Sequence, residues 1–474
     1  MTVDQGRQAS GSNGGPYGSG GAGGTSPPVS RRTLIAGGIA SVLAAGSALG
    51  DTVLRNESQA AARKPRTVFV SSSLGSDTWS GTRARPWATL GRVESALRSG
   101  ALRRTDRALL RRGDTFFGSL AFPALRGSAG VFTLGAYGAG AKPVVSGYKV
   151  SRDKWRRHAS GIWKLDLRPG SGHFGGNTGS ASTDVAFLKV GRSIKGRKRW
   201  TIGAVANEWD FYSGGGFVYV RKATSPGAGV RVCVKQTGIT PTSNTVVTNL
   251  DIVGHGAHGI AVVSMNNVLI RGNTIREIGG ARLRPDTRYG NGVEIWIGSA
   301  NVRAERNVVK DVYDVAFTLQ GEAVGGRSGW RNVHITRNVS DRCNMSFELW
   351  SIGPRKKGTG FVNCSFTGNT CRNAGYSWGQ AVRPDRAGKG THLLLYRMDL
   401  PTDVEVTGNV FGRAYSNYAY IHDKTAPAGF SSHHNTISLR RGQKIVHQGP
   451  HTLETAKAYV RVTGAEVGTA FRRV

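Results

Sequence analysis

The sequence predicts an all-β protein whose body is a single-stranded right-handed parallel β-helix, with an N-terminal capping helix and a β-rich insertion. The first observation is a seven-residue block that ends in asparagine and carries apolar residues five and three places earlier. It occurs between residues 267 and 409 as NVLIRGN, NVRAERN, NVHITRN, NCSFTGN and DVEVTGN. This alternation predicts a strand with one buried face. Because one such strand cannot bury that face alone, the copies must stack into a solenoid.

A second strand type occupies the same repeat. The segments GIAVV, GVEIW, AFTLQ, SFELW, HLLLY and YAYIH share one register, in which the second and fourth residues are apolar. We expect these residues to point into the solenoid and the alternate residues to point outward. Two strand types in every turn, with a polar corner between them, indicate a parallel β-helix. The crossover preference of parallel strands makes its turn right-handed.

The asparagines that close the blocks recur at one corner, where we expect a structural role. Stacked side-chain amides can hydrogen-bond one another and the turn backbone, which satisfies buried polar groups. The series consists of Asn273, Asn307, Asn338, Asn369, Asn409 and Asn435.

Composition favours a polyanionic partner. The 474 residues include 68 glycines, which suit tight turns, and the formal net charge is +35. Such a surface favours a uronate or sulfated glycan, a nucleic acid or an anionic envelope polymer. A generally arginine-rich chain with no anionic ligand is the alternative. The basic residues are scattered without a nucleic-acid-binding motif, so we expect no nucleic acid. Four cysteines are too few for a disulfide scaffold and are expected to be buried thiols.

The chain divides into six segments. Residues 1–29 are Gly/Ser-rich and predicted to be disordered. Residues 30–62 resemble a twin-arginine export signal, with Arg31 and Arg32 before a mild apolar run and a candidate cleavage site at residues 60–62. An uncleaved anchor or a chance arginine pair is the alternative. Residues 66–150 are assigned to the cap and first coils, 151–235 to the insertion, 236–440 to the main coils and 441–474 to a C-terminal cap. We expect a secreted monomer without a stable membrane anchor.

The amino-terminal coils resemble a known superfamily. The chain reads TVFVSSSLGSDTWSGTRARPWATL from Thr67, followed by RGDT and GAYGAGAKPVVSG. These segments are similar to the opening of secreted carbohydrate-active proteins of the pectate-lyase-like β-helix superfamily. The resemblance covers residues 66–440 and implies the fold. It does not select a reaction, because the superfamily includes lyases, glycosidases, epimerases, esterases and binding proteins.

Two outward columns of the second strand type carry candidate site residues. The first column reads Trp296, Gln320, Trp350, Tyr396 and His422. It predicts an exposed aromatic strip that stacks on sugar rings, bordered by arginine-rich loops at 279–291, 321–331, 351–361 and 375–391. Packing of the aromatic residues beneath these loops is the alternative. In the insertion, Trp155, Trp163, Trp200 and Trp209 are expected in the core, with a glycan platform as the alternative.

The second column places Glu294 and Glu348 two coils apart, with about 10 Å between their backbones. Rotation of the side chains can bring the carboxyl groups within the separation used by inverting glycosidases. Binding a cation or holding a loop arginine is the alternative for each.

The segment 375–397 has the densest set of groups suited to β-elimination on a uronate. That reaction needs a neutralised carboxylate, removal of the C5 proton and protonation of the leaving oxygen. His392 and Tyr396 are the candidates for proton transfer, and Arg383, Lys389 and Arg397 are the nearby cations. No acidic calcium cluster of the pectate-lyase kind occurs, so no metal site is predicted, although calcium could also neutralise the carboxylate.

These patterns predict an exported lyase that cleaves an acidic, uronate-containing polysaccharide by β-elimination. The expected catalytic residues are His392, Tyr396, Glu348, Glu294 and Arg383. The expected substrate-binding residues are Trp296, Gln320, Trp350, His422, Lys389 and Arg397. A glycoside hydrolase that uses Glu294 and Glu348 and a non-catalytic glycan-binding β-helix stay open as alternatives.

The export signal is testable by a conservative double substitution. Changing Arg31 and Arg32 together to lysine should leave the precursor in the cytoplasm, because the twin-arginine route reads the arginine pair itself. Immunoblots of cell and medium fractions measure the distribution. Export of the double variant at the normal level would show that the signal is misidentified.

Overall fold

The computed structural model describes residues 63–127, 129–324, 328–356, 358–383 and 390–474. The Gly/Ser-rich region and the twin-arginine segment, residues 1–62, lie outside the described residues, as do Arg327, Lys357 and Lys389. Within the described residues, each helix is too short or too polar to cross a membrane.

Three parallel sheets run along the molecule, and each complete coil adds one strand to each of them. The first sheet contains the strands of the asparagine blocks, with the order Thr67–Val70, Arg107–Arg111, Phe132–Tyr137, Thr245–Thr248, Asn266–Arg271, Ala300–Glu305, Gly329–Thr336, Gly360–Thr367, Val404–Thr407 and Phe430–His433. The second sheet contains Leu120–Ala121, Ile239–Thr240, Ile260–Val263, Val293–Trp296, Val315–Glu322, Met345–Ile352, Leu393–Met398 and Ala419–Ile421. The predicted right-handed parallel β-helix is confirmed.

The third sheet is a feature that the sequence pattern did not reveal, because we expected two strand types in each turn. It contains Thr115–Phe117, Val144–Ser146, Asp251–His255, Thr274–Ile278, Val308–Val312, Val339–Asp341, Thr370–Arg372, Val410–Phe411, Thr436–Leu439 and Ala470–Arg473. Six of these strands directly follow the six asparagines of the corner series. All ten have two to five residues, and a strand this short is too brief to display a clear period of two.

The buried asparagines form a continuous ladder, as predicted. All six are at most 3 % exposed. The repeating unit is clear at Asn307, whose Nδ2 donates to Asn338 Oδ1 at 3.0 Å and to the Ile270 carbonyl at 2.9 Å. The Asn307 backbone N–H donates to the same Asn338 Oδ1 at 2.9 Å. Each side chain therefore satisfies backbone groups of the corner as well as the next amide.

A second, exposed asparagine ladder lies at the start of the blocks. Asn301, Asn332 and Asn363 have φ angles of 53°, 53° and 51°, a left-handed conformation in which asparagine is enriched. Asn332 Nδ2 donates to Asn301 Oδ1 at 2.9 Å, and Asn363 Nδ2 donates to Asn332 Oδ1 at 2.9 Å. The asparagine that opens a block thus turns the chain, and the one that closes it satisfies the interior.

Helices cover both ends of the hydrophobic interior. Helix Leu90–Ser99 begins at Thr89, whose hydroxyl accepts from the Arg92 N–H at 3.1 Å, and it ends at Gly100 with φ 78°. Its buried residues join the core of the first coils, which confirms the predicted capping helix. Helix Ala456–Thr463 places Tyr459 in the core cluster at the other end. A covered end protects the strand edges that an open solenoid would expose.

An antiparallel body interrupts the coils between the third and second sheets. One of its sheets has the order Phe174–Gly176, Tyr148–Ser151, Arg231–Val234, Val185–Val190 and Ser193–Lys195. The other has the order Phe211–Gly214, Phe217–Arg221, Ile162–Asp166 and Arg156–Ala159. We call this body the insertion. Trp155, Trp163 and Trp209 pack in its own core, as expected.

A buried polar cluster joins the insertion to the solenoid. The Tyr148 hydroxyl donates to Glu277, and Lys189 forms an ion pair with the same carboxylate. Burial and the nearby charge of Glu277 raise the pKa of Tyr148 well above its ordinary value. Burial also raises the pKa of Glu277, but the hydrogen bonds from Lys189 and Tyr148 outweigh it, so the net pKa is lowered. The carboxylate is therefore charged and fixes the insertion to a coil corner.

The ladder predicts a large stability loss for Asn338→Ala. The N–H groups of Asn307 lose their acceptor and the Ala304 carbonyl loses its donor, all in a buried corner. Each buried unsatisfied group costs roughly 1–3 kcal/mol, so we expect the unfolding free energy to fall by about 3 kcal/mol.

Chemical denaturation measures this change, and Asn266→Ala is the matched control. Asn266 is exposed and loses a single 2.8 Å hydrogen bond with Asn301, so we expect a change below about 1 kcal/mol. Equal losses for the two variants would contradict the structural role of the buried ladder.

Candidate active site

A cavity of about 450 Å³ lies on the outward face of the second sheet, where the insertion approaches it. The sheet contributes Gln320, Glu348, Trp350, Leu394 and Tyr396. The facing wall comes from residues 197–204 of the insertion, from residues 283–289 and from Val382 and Arg383. The cavity therefore brings together chain segments that are far apart in sequence.

Strand register places the sheet residues of the cavity side by side. Gln320 pairs with Trp350, and Glu348 pairs with Leu394 on the following strand. The register then shifts, so that Leu349 pairs with Leu395 but Ser351 pairs with Met398. The extra residue is a β-bulge, a feature that re-aims side chains and is common beside active sites. Tyr396 lines the cavity there, whereas the exposed Arg397 forms a 2.8 Å ion pair with Asp399.

The facing wall is held by one buried arginine. Arg288 lies in the hairpin formed by Ala281–Arg284 and Thr287–Tyr289. Its Nε donates to the Gly280 carbonyl at 2.8 Å, and its Nη2 donates to the Ala186 carbonyl of the insertion at 2.7 Å. Its guanidinium carbon lies 4.6 Å from the centre of the Tyr313 ring. Burial lowers the pKa of Arg288, but an arginine remains charged.

The short helix Trp378–Val382 completes this wall. The Trp378 and Phe187 ring centres are 4.8 Å apart, so the helix packs against the insertion. Arg197 of the insertion donates to the Ala381 carbonyl at 3.3 Å. Arg383 follows the helix and forms a 3.0 Å ion pair with Asp314. The helix thereby positions Arg383 at the cavity.

Cations outnumber carboxylates among the side chains that line the cavity. The cations are Arg197, Lys198, Arg199, Arg288 and Arg383, and the carboxylates are Asp286, Asp314 and Glu348. Lys198 pairs with Asp184, and burial, partly offset by that pair, lowers the pKa of Lys198 to about 8. Arg199 pairs with Asp210 at 2.7 Å. This arrangement suits a ligand with a carboxylate or sulfate group, because arginine forks bind such groups bidentately.

The expectation of an exposed aromatic strip is wrong. Trp296 is 4 % exposed and Trp350 1 % exposed, with ring centres 6.1 Å apart. Both belong to one hydrophobic cluster with Trp330 and Phe361 of the segments 321–331 and 351–361, which agrees with the alternative of packing beneath the loops. Tyr396 is half-buried and His422 exposed, with ring centres 5.3 Å apart. The Trp350 indole N–H is buried without a hydrogen-bond partner.

His392 does not face the same side as Tyr396, so this expectation is also wrong. It is 1 % exposed, and its ring centre lies 5.4 Å from that of Phe411. Its Nε2 is 2.8 Å from the Gly412 carbonyl, and its Nδ1 is 3.0 Å from the Ser346 hydroxyl. Burial lowers the pKa of His392 to about 4. Because His392 precedes the strand Leu393–Met398, the alternation of that strand does not fix its direction.

The two glutamates share a column, but they differ in their surroundings. Glu294 pairs with Thr318, and Thr318 pairs with Glu348. Glu294 is 5 % exposed; its carboxylate lies 2.7 Å from His258 Nδ1 and accepts from Asn291 Nδ2 at 3.2 Å. Glu348 lines the cavity, whereas Glu294 is not among the lining residues. His258 carries no periodic signal in the sequence, so its pairing with Glu294 was not foreseen.

The remaining candidate residues differ in whether they line the cavity. Gln320 and Arg383 line the cavity with Glu348 and Tyr396. Arg397 and His422 lie outside its lining, and Lys389 belongs to the segment that is not described. Trp200 lines the cavity, in contrast to the other three tryptophans of the insertion. Across the described ranges, no three His, Cys, Asp or Glu side chains form a group that could hold a metal ion.

Comparison with solved structures identifies the fold. A complex of XylC with xylose has a TM-score of 0.51 and 12 % identity, over 80 % of this chain and 69 % of that chain. The fold is shared with that protein. A structure described as a glycoside hydrolase has a TM-score of 0.47 and 11 % identity, over 86 % of this chain and 96 % of that one. For an alginate lyase from Paenibacillus sp. str. FPU-7 the values are 0.42 and 14 %, over 86 % and 95 %.

No protein-family model and no curated protein sequence matches the chain. At 12 % identity the similarity to the XylC complex shows the fold and leaves the reaction open.

The burial of Trp350 predicts a stability effect rather than a pure binding effect. Trp350→Ala should lower the unfolding free energy by about 3–5 kcal/mol, the usual cost of removing a buried large aromatic side chain. Chemical denaturation measures the change, and Tyr415→Ala is the control because Tyr415 is 46 % exposed. An unchanged denaturation midpoint for Trp350→Ala would show that this indole does not support the packing.

Proposed function

We propose that the protein is an exported enzyme that cleaves an acidic, uronate-containing polysaccharide by β-elimination. The observation that carries the proposal is the cavity itself, whose lining includes both Tyr396 and the arginine-bearing wall. A uronate supplies the carboxylate that such a wall can bind. Export rests on the twin-arginine resemblance of residues 30–62.

In the proposed reaction, Arg383 and Arg288 bind the uronate carboxylate. Their charge stabilises the negative charge that develops when the C5 proton is removed. Tyr396, reacting as the phenolate, accepts that proton and becomes the phenol, a C4=C5 double bond forms, and the C4–O bond to the leaving sugar breaks. The leaving oxygen then receives a proton from the same phenol, when the two groups lie on one face of the ring. Glu348 contacts the substrate without moving a proton.

Arg383 is already oriented for this role. Its guanidinium carbon lies 5.1 Å from the centre of the Tyr313 ring, and its Nη1 is 3.0 Å from Asp314 Oδ1. A positioned arginine loses little freedom when a substrate carboxylate arrives. His392 has no part in this proposal, because it is buried inside the coil.

A glycoside hydrolase is the second candidate, because Glu348 is a carboxylate within the cavity. Such an enzyme needs two carboxyl groups on opposite sides of the bond. Glu294 is held by His258 and Asn291 and does not line the cavity. The second carboxylate would have to be Asp286 or Asp314, and Asp314 is paired with Arg383. These contacts favour elimination over hydrolysis.

Two substitutions in the cavity distinguish these reactions. We expect Tyr396→Phe to lower turnover by roughly two to four orders of magnitude, the usual contribution of a positioned acid or base. We expect Glu348→Gln to keep turnover within about tenfold. The assay uses the mature protein with galacturonate, alginate, sulfated and neutral glycans, and follows the ultraviolet absorbance of the unsaturated product.

Tyr415→Phe is the matched control, because Tyr415 is exposed and lies outside the cavity lining. New reducing ends without unsaturated product, together with loss of activity in Glu348→Gln, would instead establish a hydrolase. Retention of a glycan without any product would establish a binding protein.

A further inference from the structure

We propose that the cavity accepts the end of a polysaccharide chain, so that the enzyme releases short products from chain termini. This inference rests on the proposed function, because it concerns the same site. The observation behind it is a change in exposure along the outward face of the second sheet. Toward the amino end this face is covered, and toward the carboxyl end it is open.

The covered part begins one coil before the cavity. Ala261 and Glu294 are each 5 % exposed, although they alternate with the inward-facing residues of their strands. Trp296 is 4 % exposed and packs in the main hydrophobic cluster of the solenoid. None of them lines the cavity. A polysaccharide that followed the solenoid axis could not continue over these coils, because protein already occupies that surface.

The hairpin formed by Ala281–Arg284 and Thr287–Tyr289 covers this surface, and two hydrogen bonds attach it to the insertion. The Arg282 backbone N–H donates to Asp184 Oδ2 at 2.7 Å, and Arg288 Nη2 donates to the Ala186 carbonyl at 2.7 Å. Within the insertion, Lys198 pairs with Asp184, the acceptor of the Arg282 bond, and the Lys198 side chain is 2 % exposed. Separating this pair would leave a buried charge without its partner, which is strongly unfavourable. The wall is therefore a fixed part of the site.

The same ion pair lies between the cavity and a neighbouring one. That second cavity has a volume of about 400 Å³, and its lining includes Asp184, Lys235 and Arg282. Leu283 lines both cavities. With Lys198 almost fully buried beside Asp184, a sugar chain has no passage at this point.

The described residues leave the opposite direction open. Tyr396 and Tyr420 are half-buried, and His422, which directly follows the last strand of the sheet, is exposed. Three strands form the floor of the cavity: Val315–Glu322, Met345–Ile352 and Leu393–Met398. Two inter-strand spacings give this floor a length of about 10 Å. It holds a short terminal segment, whereas a long groove would hold the middle of a chain.

End-labelled oligosaccharides test the inference by binding alone. Hexamers of galacturonate, mannuronate and guluronate are prepared unmodified, with a bulky fluorophore at the reducing end, and with one at the non-reducing end. Calorimetry with the Tyr396→Phe variant measures their affinities. We expect the label at one end to weaken binding at least tenfold and the label at the other end to leave it within twofold.

Equal affinity for the three forms would overturn the inference, as would binding of polymer without binding of any hexamer. These outcomes are separate from the proposed reaction, which is judged by unsaturated product from the active enzyme. The size of the products provides a second test of release from chain ends. A single short product size throughout digestion supports release from chain ends, whereas a ladder of intermediate lengths would contradict it.

A matched pair of substitutions tests the role of the insertion as a wall. Ala204 is exposed and lines the cavity, whereas Ala159 is exposed on another part of the insertion. Ala204→Trp should weaken hexamer binding at least tenfold, and Ala159→Trp should leave it unchanged. Wild-type affinity in a folded Ala204→Trp variant would show that the insertion does not limit the site. Circular dichroism verifies that both variants are folded.

Discussion

The structure depends on satisfying every buried polar group at the corner where one coil turns into the next. Asn307 illustrates the solution, because its amide connects the backbone of the preceding coil with the side chain of Asn338. An apolar residue at this corner would leave several backbone groups unsatisfied, each at a cost comparable to a lost hydrogen bond. The amide repeats with the coil, so it also holds successive coils in one register. All columns of side chains on the outside follow from that register.

The candidate site lies where the regular outer face of the coils meets the insertion and the hairpin. The register aligns Thr318 with Glu348, and Tyr396 lines the cavity beside the bulge. The coils alone would leave these residues on an open face. The insertion and the hairpin convert that face into a cavity, and Arg288 joins the two by donating to a carbonyl of each. Substrate selection can therefore change through the insertion without disturbing the coils.

Sequence reasoning succeeded where a property repeats from coil to coil. The parallel fold, the inward columns and the ladder through Asn338 all follow from short local patterns. It failed where the answer depends on contacts between distant segments. Trp350 is buried because residues far away in sequence fold back over it, and no local pattern shows that. The predicted direction of the His392 side chain was wrong for another reason. His392 lies just before a strand, where the turn sets the direction of the side chain.

The cations of the cavity are ordered by carboxylates rather than left free. Lys198 pairs with Asp184, Arg199 with Asp210 and Arg383 with Asp314. Each pair lowers the net charge, so the high overall charge of the protein does not by itself explain binding at this site. What the pairs provide is fixed orientation, which reduces the reorganisation needed when a substrate charge develops. In the proposed function, the scattered positive surface attracts the polyanion from a distance, and Arg383, held by Asp314, orients its carboxylate.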